Sequence, residues 1–461
     1  MSIFSFYQRI VLAILSSLSL SRTNFFICLN LLKAFQQKGM DKLVLCSGSR
    51  SGPLAIAASG LGVSSDLQVF TSIDERSAAF MALGLSTASG KATLVITTSG
   101  TAVANLFPAA IEADRSCQPL IFLTADRPLR LKNCGSNQTV NQEEFLLPAC
   151  RLFEQGDPQG IHVLTKEKIQ ELVDNTWEAA HLLSGPVHIN LPIEEPLHPS
   201  LAEQDEVWDG WEPSSFQDKI IIKRTKETIT NITQTSINIP FLDPSKPGII
   251  VIGPWRGSQQ SLDLFRQTLE KWQSYTNWPI FADPLSGIRS TQSGIVSYWE
   301  LLLINEFVDQ SQGLQVLRLG PTSSSRALQE WLGKVKGNQV LITEGEKRPI
   351  DPLRLSKQYS YGFYNWYMEF INNYQFNKQT IDLHKNNTFY NDLFLKDQKI
   401  KVWFESFMTN NTKLTEPSIA YWLPKYLPKD ISIMLSASSP VRDWLTFAGP
   451  ESLVNRCFGF R

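Results

Sequence analysis

An α/β protein built on doubly wound parallel sheets is what this sequence predicts, and three observations predict it. From Lys42 onward, short apolar runs alternate with helical segments. The runs are continuous rather than alternating in polarity, as in strands covered on both faces. The residues with chemical potential, Asp74-Glu75-Arg76, Thr98 to Asn105, Thr124 to Pro128 and Asn137-Gln138, follow such runs. In a parallel sheet that places them along one rim, where such folds bind ligands.

The elements follow in order. Arg9 precedes the apolar run Ile10 to Leu15 and a Ser/Leu stretch to Ser21. This loosely resembles a signal peptide without a clean cleavage site, and it is too short to span a bilayer, which takes about 20 apolar residues. A helical or frayed extension over residues 1–23 is the expectation, followed by an amphipathic helix from Phe25 to Met40. Leu43 to Cys46 is a strand, Ser47 to Pro53 a Gly/Ser turn, and a small-residue helix starts at Leu54. Leu67 to Ile73 is the next strand. Asp74 opens a helix whose Ala79, Leu83 and Ser86 suit close packing on a sheet. Ala92 to Thr97 reads as a strand, Thr101 to Ala113 as a helix, Leu120 to Thr124 as a strand, and Lys166 to Leu183 as a helix. Gly185 to Pro192 closes this block, residues 24–193, as a strand.

From Glu194 acidic residues, prolines, Trp208 and Trp211 replace the apolar pattern, which reads as a linker over 194–247. A second block, 248–400, has strands at Gly248 to Gly253, Pro279 to Ala282, Leu314 to Leu319 and Gln339 to Thr343, with a helix from Ser261 to Trp272. Pro352 to Lys399 is polar and aromatic. A third block, 401–461, offers a helix from Glu416 to Leu427, a strand from Ile431 to Ser436, a helix from Val441 to Phe447 and a strand from Leu453. So few elements do not complete a doubly wound sheet, and the expectation is of a chain cut off inside its third domain.

The bulk numbers narrow the function. A length of 461 residues implies two or three domains, and 43% hydrophobic with 19% charged residues describes a globular core. With 43 basic and 44 acidic side chains there is no electrostatic footprint for nucleic acid. The six cysteines contain no C-x-x-C pair and read as buried or partly buried thiols in a reducing, cytoplasmic compartment. The five histidines show no metal-ligand spacing.

Each cluster has a plain reading beside a chemical one. Ser47 to Pro53 either cradles an anion, with Arg50 as a forked cation, or is a simple turn. Glu75 is either a catalytic acid or a first-turn residue favoured by the helix dipole. Ser99-Gly100-Thr101 serves as an N-cap, Asp126-Arg127 as a surface ion pair, and Asn137-Gln138 as loop amides, if nothing more. Gly156-Asp157 reads as a turn.

Together, Ser47-Gly48-Ser49-Arg50-Ser51, Asp74-Glu75-Arg76, Thr98 to Asn105, Thr124 to Pro128 and Gly135 to Gln138 resemble the motifs of one family in that family's order. It is the 2-succinyl-5-enolpyruvyl-6-hydroxy-3-cyclohexene-1-carboxylate synthases, thiamine-diphosphate transferases of menaquinone and phylloquinone biosynthesis. The resemblance spans Phe25 to Arg461. It implies a three-domain thiamine-diphosphate-enzyme architecture, with residues 24–193 binding the pyrimidine and 401–461 beginning a diphosphate-binding domain.

The resemblance further implies a reaction: 2-oxoglutarate loses CO₂ and its succinyl carbanion adds to isochorismate. Glu75 matches the acid that hydrogen-bonds the cofactor's aminopyrimidine, and Ser99, Gly100, Thr101 and Asn105 match cofactor-binding positions. Ser49, Arg50, Arg127, Gln138, Arg326, Ser438, Arg442 and Arg461 match substrate contacts. A neighbouring second base seen in some members is Ser325 here, and Arg456 is the rival of Arg461. The family places its cofactor between subunits, implying a homodimer or homotetramer. Its Gly-Asp-Gly motif for Mg²⁺ or Mn²⁺ is expected beyond Arg461. Two other readings stand beside this one. The first is an inactive fragment or scaffold. The second is another thiamine enzyme, such as an acetolactate synthase or pyruvate decarboxylase, against which the Ser-Gly-Ser-Arg-Ser turn and the surplus of arginines argue.

Overall fold

The computed structural model describes residues 3–182, 184–210, 239–308, 313–374, 384–410 and 413–460, with backbone alone for 3–19, 384 and 385. The chain divides into two compact units, Met1–Gln234 and Thr235–Arg461.

The first unit opens with α1, Ile3–Gln37. No glycine or proline interrupts this stretch, so the expected extension and the helix from Phe25 are one continuous helix. It ends at Gly39, whose φ of 107° suits only glycine. Phe25, Cys28, Leu32 and Phe35 are fully buried, and α1 packs on α2 (Gly52–Ser64) and α6 (Lys166–Leu182).

Six strands make the sheet: β1 (Lys42–Leu45), β2 (Gln68–Thr71), β3 (Thr93–Thr97), β4 (Leu120–Asp126), β5 (Leu152–Gln155) and β6 (Pro186–Pro192). Their order is β2-β1-β3-β4-β6-β5, and every pairing is parallel. From β1 the chain first moves one way, to β2, and then back across to β3. The switch in direction therefore lies between β1 and β3, and a crevice forms outside their carboxyl ends. Strands β3, β4 and β6 are buried at every residue, which accounts for their continuous apolar runs.

Two helices carry site residues on this rim. In α3 (Glu75–Ser89), Asp74 is the N-cap, its Oδ1 accepting from the Ser77 N–H at 2.8 Å. The expected helix from Thr101 to Ala113 is instead α4 (Thr101–Ala104) and α5 (Phe107–Ser116). Pro108 has no N–H to give the Ala104 carbonyl and its ring excludes that carbonyl, so the helix breaks at Asn105.

The stretch from Glu194 folds onto this unit. Ser200 and Glu203 form a capping box on α7 (Leu201–Asp209), Val207 is buried, and Trp208 meets Phe25 edge-on at 5.8 Å. Residues 211–238 lie outside the described residues.

The second unit contains β7 (Gly248–Ile252), β8 (Ile280–Ala282), β9 (Gln315–Leu319), β10 (Gln339–Ile342) and β11 (Lys357–Tyr359). They form a parallel sheet in the order β11-β10-β9-β7-β8. The aromatic stretch after Pro352 supplies β11 and the helix Phe363–Tyr374, whose Trp366 packs on Trp272 at 5.0 Å. A smaller parallel pair, β12 (Ser432–Met434) with β13 (Arg456–Phe458), flanks the helix Ser439–Phe447. The strand expected from Leu453 starts at Arg456, because Gly449–Leu453 is a 3₁₀ turn. Among the described residues no helix is long and apolar enough to cross a membrane.

Candidate active site

The carboxyl ends of β1, β2, β3 and β4 bring four of the chemical clusters to one rim of the first unit. Gly48 and Thr98 meet across the switch point. A Cβ on Gly48 would lie 2.5 Å from the Thr98 Cβ, so only glycine allows this approach.

Glu75 is half-buried at the start of α3, where the helix N-terminus favours its negative charge. Asn105 donates to its Oε2 at 3.0 Å, which joins two residues thirty positions apart. The break at Asn105 is what frees that side chain to reach across. Cys46, at the end of β1, also lies beside Glu75. Burial, then the Glu75 and Asp74 charges, push its thiol up to about 11.

Two guanidiniums share the same rim. Arg50 is only 7% exposed; Nη1 donates to the Ile193 carbonyl at 2.9 Å and Nη2 pairs with Glu195 at 2.6 Å. Its buried Nε has no hydrogen-bond partner. Arg127 donates through Nη1 to the Ser99 hydroxyl and to the Gln138 carbonyl, the latter at 2.8 Å. Burial, then repulsion from Arg50, lower the Arg127 pKa. Two buried cations side by side, one with an unsatisfied donor, fit an anionic ligand. Ser49, in the turn after β1, and Thr101, the first residue of α4, are exposed.

Asp126-Arg127 is therefore not a surface ion pair. Asp126 is fully buried and binds Lys132 Nζ at 2.7 Å, the Arg127 N–H at 2.7 Å and Asn190 Nδ2 at 2.8 Å. Nor is Ser99 a helix cap: it is fully buried, and the cap position of α4 is Gly100. Gln138, weighed as a loop amide, has φ of 55° and donates Nε2 to the Ser99 carbonyl at 2.8 Å. Gly156-Asp157 is a turn, with Asp157 Oδ1 accepting from the Gln159 N–H at 2.8 Å. Cys134 departs from the expectation of sequestered thiols, for it is exposed.

The remaining substrate candidates belong to the second unit. Arg326 follows β9 at the start of the helix Arg326–Lys334. Its side chain is 93% exposed and pairs with Glu330 at 2.9 Å. Ser325 caps that helix, its Oγ accepting from the Leu328 N–H at 3.0 Å. Ser438 and Arg442 do meet: Arg442 donates to the Ser438 carbonyl at 3.0 Å and to its hydroxyl at 3.1 Å. Arg461 lies outside the described residues. Its rival Arg456 sits on β13 with Nε and Nη1 unpartnered, and burial, then repulsion from Arg266, lower its pKa to about 10.

Sequence reasoning did not single out Gln142, Asn190, Lys132 or Glu195. All four lie in polar stretches or inside a strand with no local signature, and only the packed sheet brings them to Gly100, Asp126 and Arg50.

Residues 30–145, which hold this rim, match the family described as "Thiamine pyrophosphate enzyme, N-terminal TPP binding domain". The parallel α/β architecture and a rim acid at a helix start agree with it: the chain is a thiamine-pyrophosphate enzyme. A 2-succinyl-5-enolpyruvyl-6-hydroxy-3-cyclohexene-1-carboxylate synthase of Prochlorococcus marinus is 51% identical over 430 residues, 93% of this chain and 74% of that protein. Another, from a second Prochlorococcus marinus strain, is 49% identical over 446 residues, covering 96% of this chain and 74% of its own length. One from a Synechococcus species is 46% identical over 429 residues, 92% and 72% of the two chains. The chain belongs to the family of 2-succinyl-5-enolpyruvyl-6-hydroxy-3-cyclohexene-1-carboxylate synthases.

Proposed function

We propose that this protein is the transferase its relatives are named for. It takes 2-oxoglutarate and isochorismate, releases CO₂ and forms 2-succinyl-5-enolpyruvyl-6-hydroxy-3-cyclohexene-1-carboxylate, on the way to menaquinone or phylloquinone. The observation that carries the reading is the rim of the first unit, where the Glu75–Asn105 pair and the Arg50/Arg127 pair lie at the ends of neighbouring strands.

The residues fit the pyrimidine end of thiamine diphosphate. A half-buried carboxylate, oriented by an amide and set at a helix N-terminus, is suited to hold a proton on a ring nitrogen. When bound, the cofactor supplies the electron sink for decarboxylation. Asn105 orients Glu75, while Ser99, Gly100 and Thr101 would help hold the cofactor. The cations Arg50 and Arg127, with Ser49 and Gln138, receive substrate carboxylates. Arg326, Ser438, Arg442 and Arg461 are proposed as further substrate-binding residues on their match to family positions alone.

A divalent cation, Mg²⁺ or Mn²⁺, is proposed because a diphosphate needs its charge met. Among the described residues no group of three or more His, Cys, Asp or Glu is placed to hold one, so no step is assigned to it. We place the protein in a reducing cytoplasm, as a homodimer or homotetramer.

The test is decarboxylation of 2-oxoglutarate with isochorismate, thiamine diphosphate and Mg²⁺, comparing Glu75→Gln with the natural chain. Loss of CO₂ release and of product is expected, and unchanged turnover rejects the assignment. Pyruvate in place of 2-oxoglutarate separates this reading from another thiamine carboligase.

A further inference from the structure

We infer that Gln142 is a positioning residue, one jaw of a two-sided clamp on the Ser99–Gly100 peptide at the switch point. This peptide unit is gripped at both ends. Its N–H donates to Gln142 Oε1 at 2.7 Å, and its C=O accepts from Gln138 Nε2 at 2.8 Å. The two glutamines are four residues apart in one polar stretch, and they approach the same peptide from opposite sides.

The geometry leaves Gln142 a single orientation. The side chain is fully buried in the 3₁₀ turn Gln142–Glu144. Its Nε2 donates to the Ala125 carbonyl at 2.9 Å and to Asn190 Oδ1 at 2.8 Å. Flipping the amide would set its NH₂ against the Gly100 N–H and its oxygen against a carbonyl, so the assignment is forced. Asn190 is itself held, accepting from the Thr124 hydroxyl at 3.0 Å and donating to Asp126. Gln142 thus ties the loop after β3 to the ends of β4 and β6, the rigid centre of the sheet.

The peptide so held needs holding. Gly100 has φ of 82° and ψ of −134°, a region open to glycine alone, and a Cβ there would lie 2.7 Å from Gln138 Cγ. Without a partner the buried Gly100 N–H has no water to turn to, and peptide rotation becomes the relief. Rotation would move Ser99, whose hydroxyl accepts from Arg127, so the clamp also sets the direction of that guanidinium. A fixed donor array at an anionic site derives its value from being oriented before the ligand arrives.

The functional half of this inference rests on the thiamine reading above, and the experiment separates the two. Gln142→Leu removes both the acceptor and the donor. Gln142→Glu, as the neutral acid that full burial favours, keeps the acceptor for Gly100 and one O–H donor for Ala125 or Asn190, and it serves as the rescue variant and as the second chance should the leucine variant fail to fold. Amide hydrogen exchange on the full chain, without added ligand, reads the clamp directly. In Gln142→Leu the Gly100 amide is expected to exchange at least tenfold faster while the β1 amides hold, and Gln142→Glu is expected to restore protection.

Calorimetry with thiamine diphosphate and steady-state kinetics read the consequence. At least tenfold weaker cofactor affinity and a raised KM for 2-oxoglutarate are expected in Gln142→Leu, with kcat changed less than KM. Unchanged Gly100 exchange overturns the clamp. Faster exchange with unchanged affinity and KM overturns its positioning role. Equal loss of kcat in both variants, with no rescue by glutamate, also overturns it. Should the natural chain bind no thiamine diphosphate, the proposed function fails, and exchange still decides the clamp.

Discussion

Removing the ammonium of Lys132 offers the most direct test of how the site rim is built. Asp126 is fully buried and Lys132 only 9% exposed, at 2.7 Å from each other, so Lys132→Met strands a carboxylate inside the sheet. Breaking a buried pair by removing one member destabilises by about 3–5 kcal/mol. Asp126 keeps donors from the Arg127 N–H and Asn190, which favours the lower end. The expected loss is about 3 kcal/mol, or roughly 6–12 °C in Tm for a unit of this size. Thermal and urea unfolding of both chains measures it. Adding Asp126→Asn should recover at least about 1 kcal/mol, because the charge is then gone. Burial pulls the Lys132 pKa down, but hydrogen bonds to Asp126 and Glu143 outweigh it and leave the pKa raised. The stabilisation is therefore complete below the ordinary lysine value and fades only as pH climbs through the raised one. A difference under about 1 kcal/mol at neutral pH, or one that vanishes below pH 9, would refute the reasoning.

Other predictions follow the same logic. Burial lowers the His188 pKa to about 3, so the folded chain leaves this ring neutral while the unfolded chain protonates it below about 6.5. Stability is thus lost as pH falls, by about 2 kcal/mol at pH 5, and His188→Gln should flatten that part of an unfolding-versus-pH curve. Gly100→Ala should cost about 1–3 kcal/mol, read by urea unfolding, since alanine cannot hold φ of 82° with ψ of −134°. Glu75→Gln should fold normally by circular dichroism and lower kcat by about 10²–10⁴-fold, the usual weight of a lost acid–base group.

Much of the rim was legible because strand ends are local. A parallel strand buried on both faces must be apolar throughout, so β3, β4 and β6 announce themselves, and the polar residues that follow each one must emerge at the same edge. Two of the edge strands escape this rule. Leu152–Gln155 and Lys357–Tyr359 pair on one side only, tolerate polar residues, and carry no apolar run. The stretch after Glu194 looked like a linker because its acidic residues mask one buried contact surface, Val207 with Trp208. Arg326 matched a family position, yet in this structure its guanidinium stands in solvent beside Glu330.

Alternation of apolar and helical segments, by itself, determined the fold class and the edge of the sheet at which the polar clusters emerge. Those facts follow from periodicity and from which end of a strand a residue leaves. Only the tertiary structure decided that Asn105 reaches Glu75, that Asp126 faces inward to Lys132, and that Gln142 holds Gly100. Each of these is a hydrogen bond between residues apart in sequence. Such bonds form because the packed sheet removes water and leaves buried polar atoms no other partner.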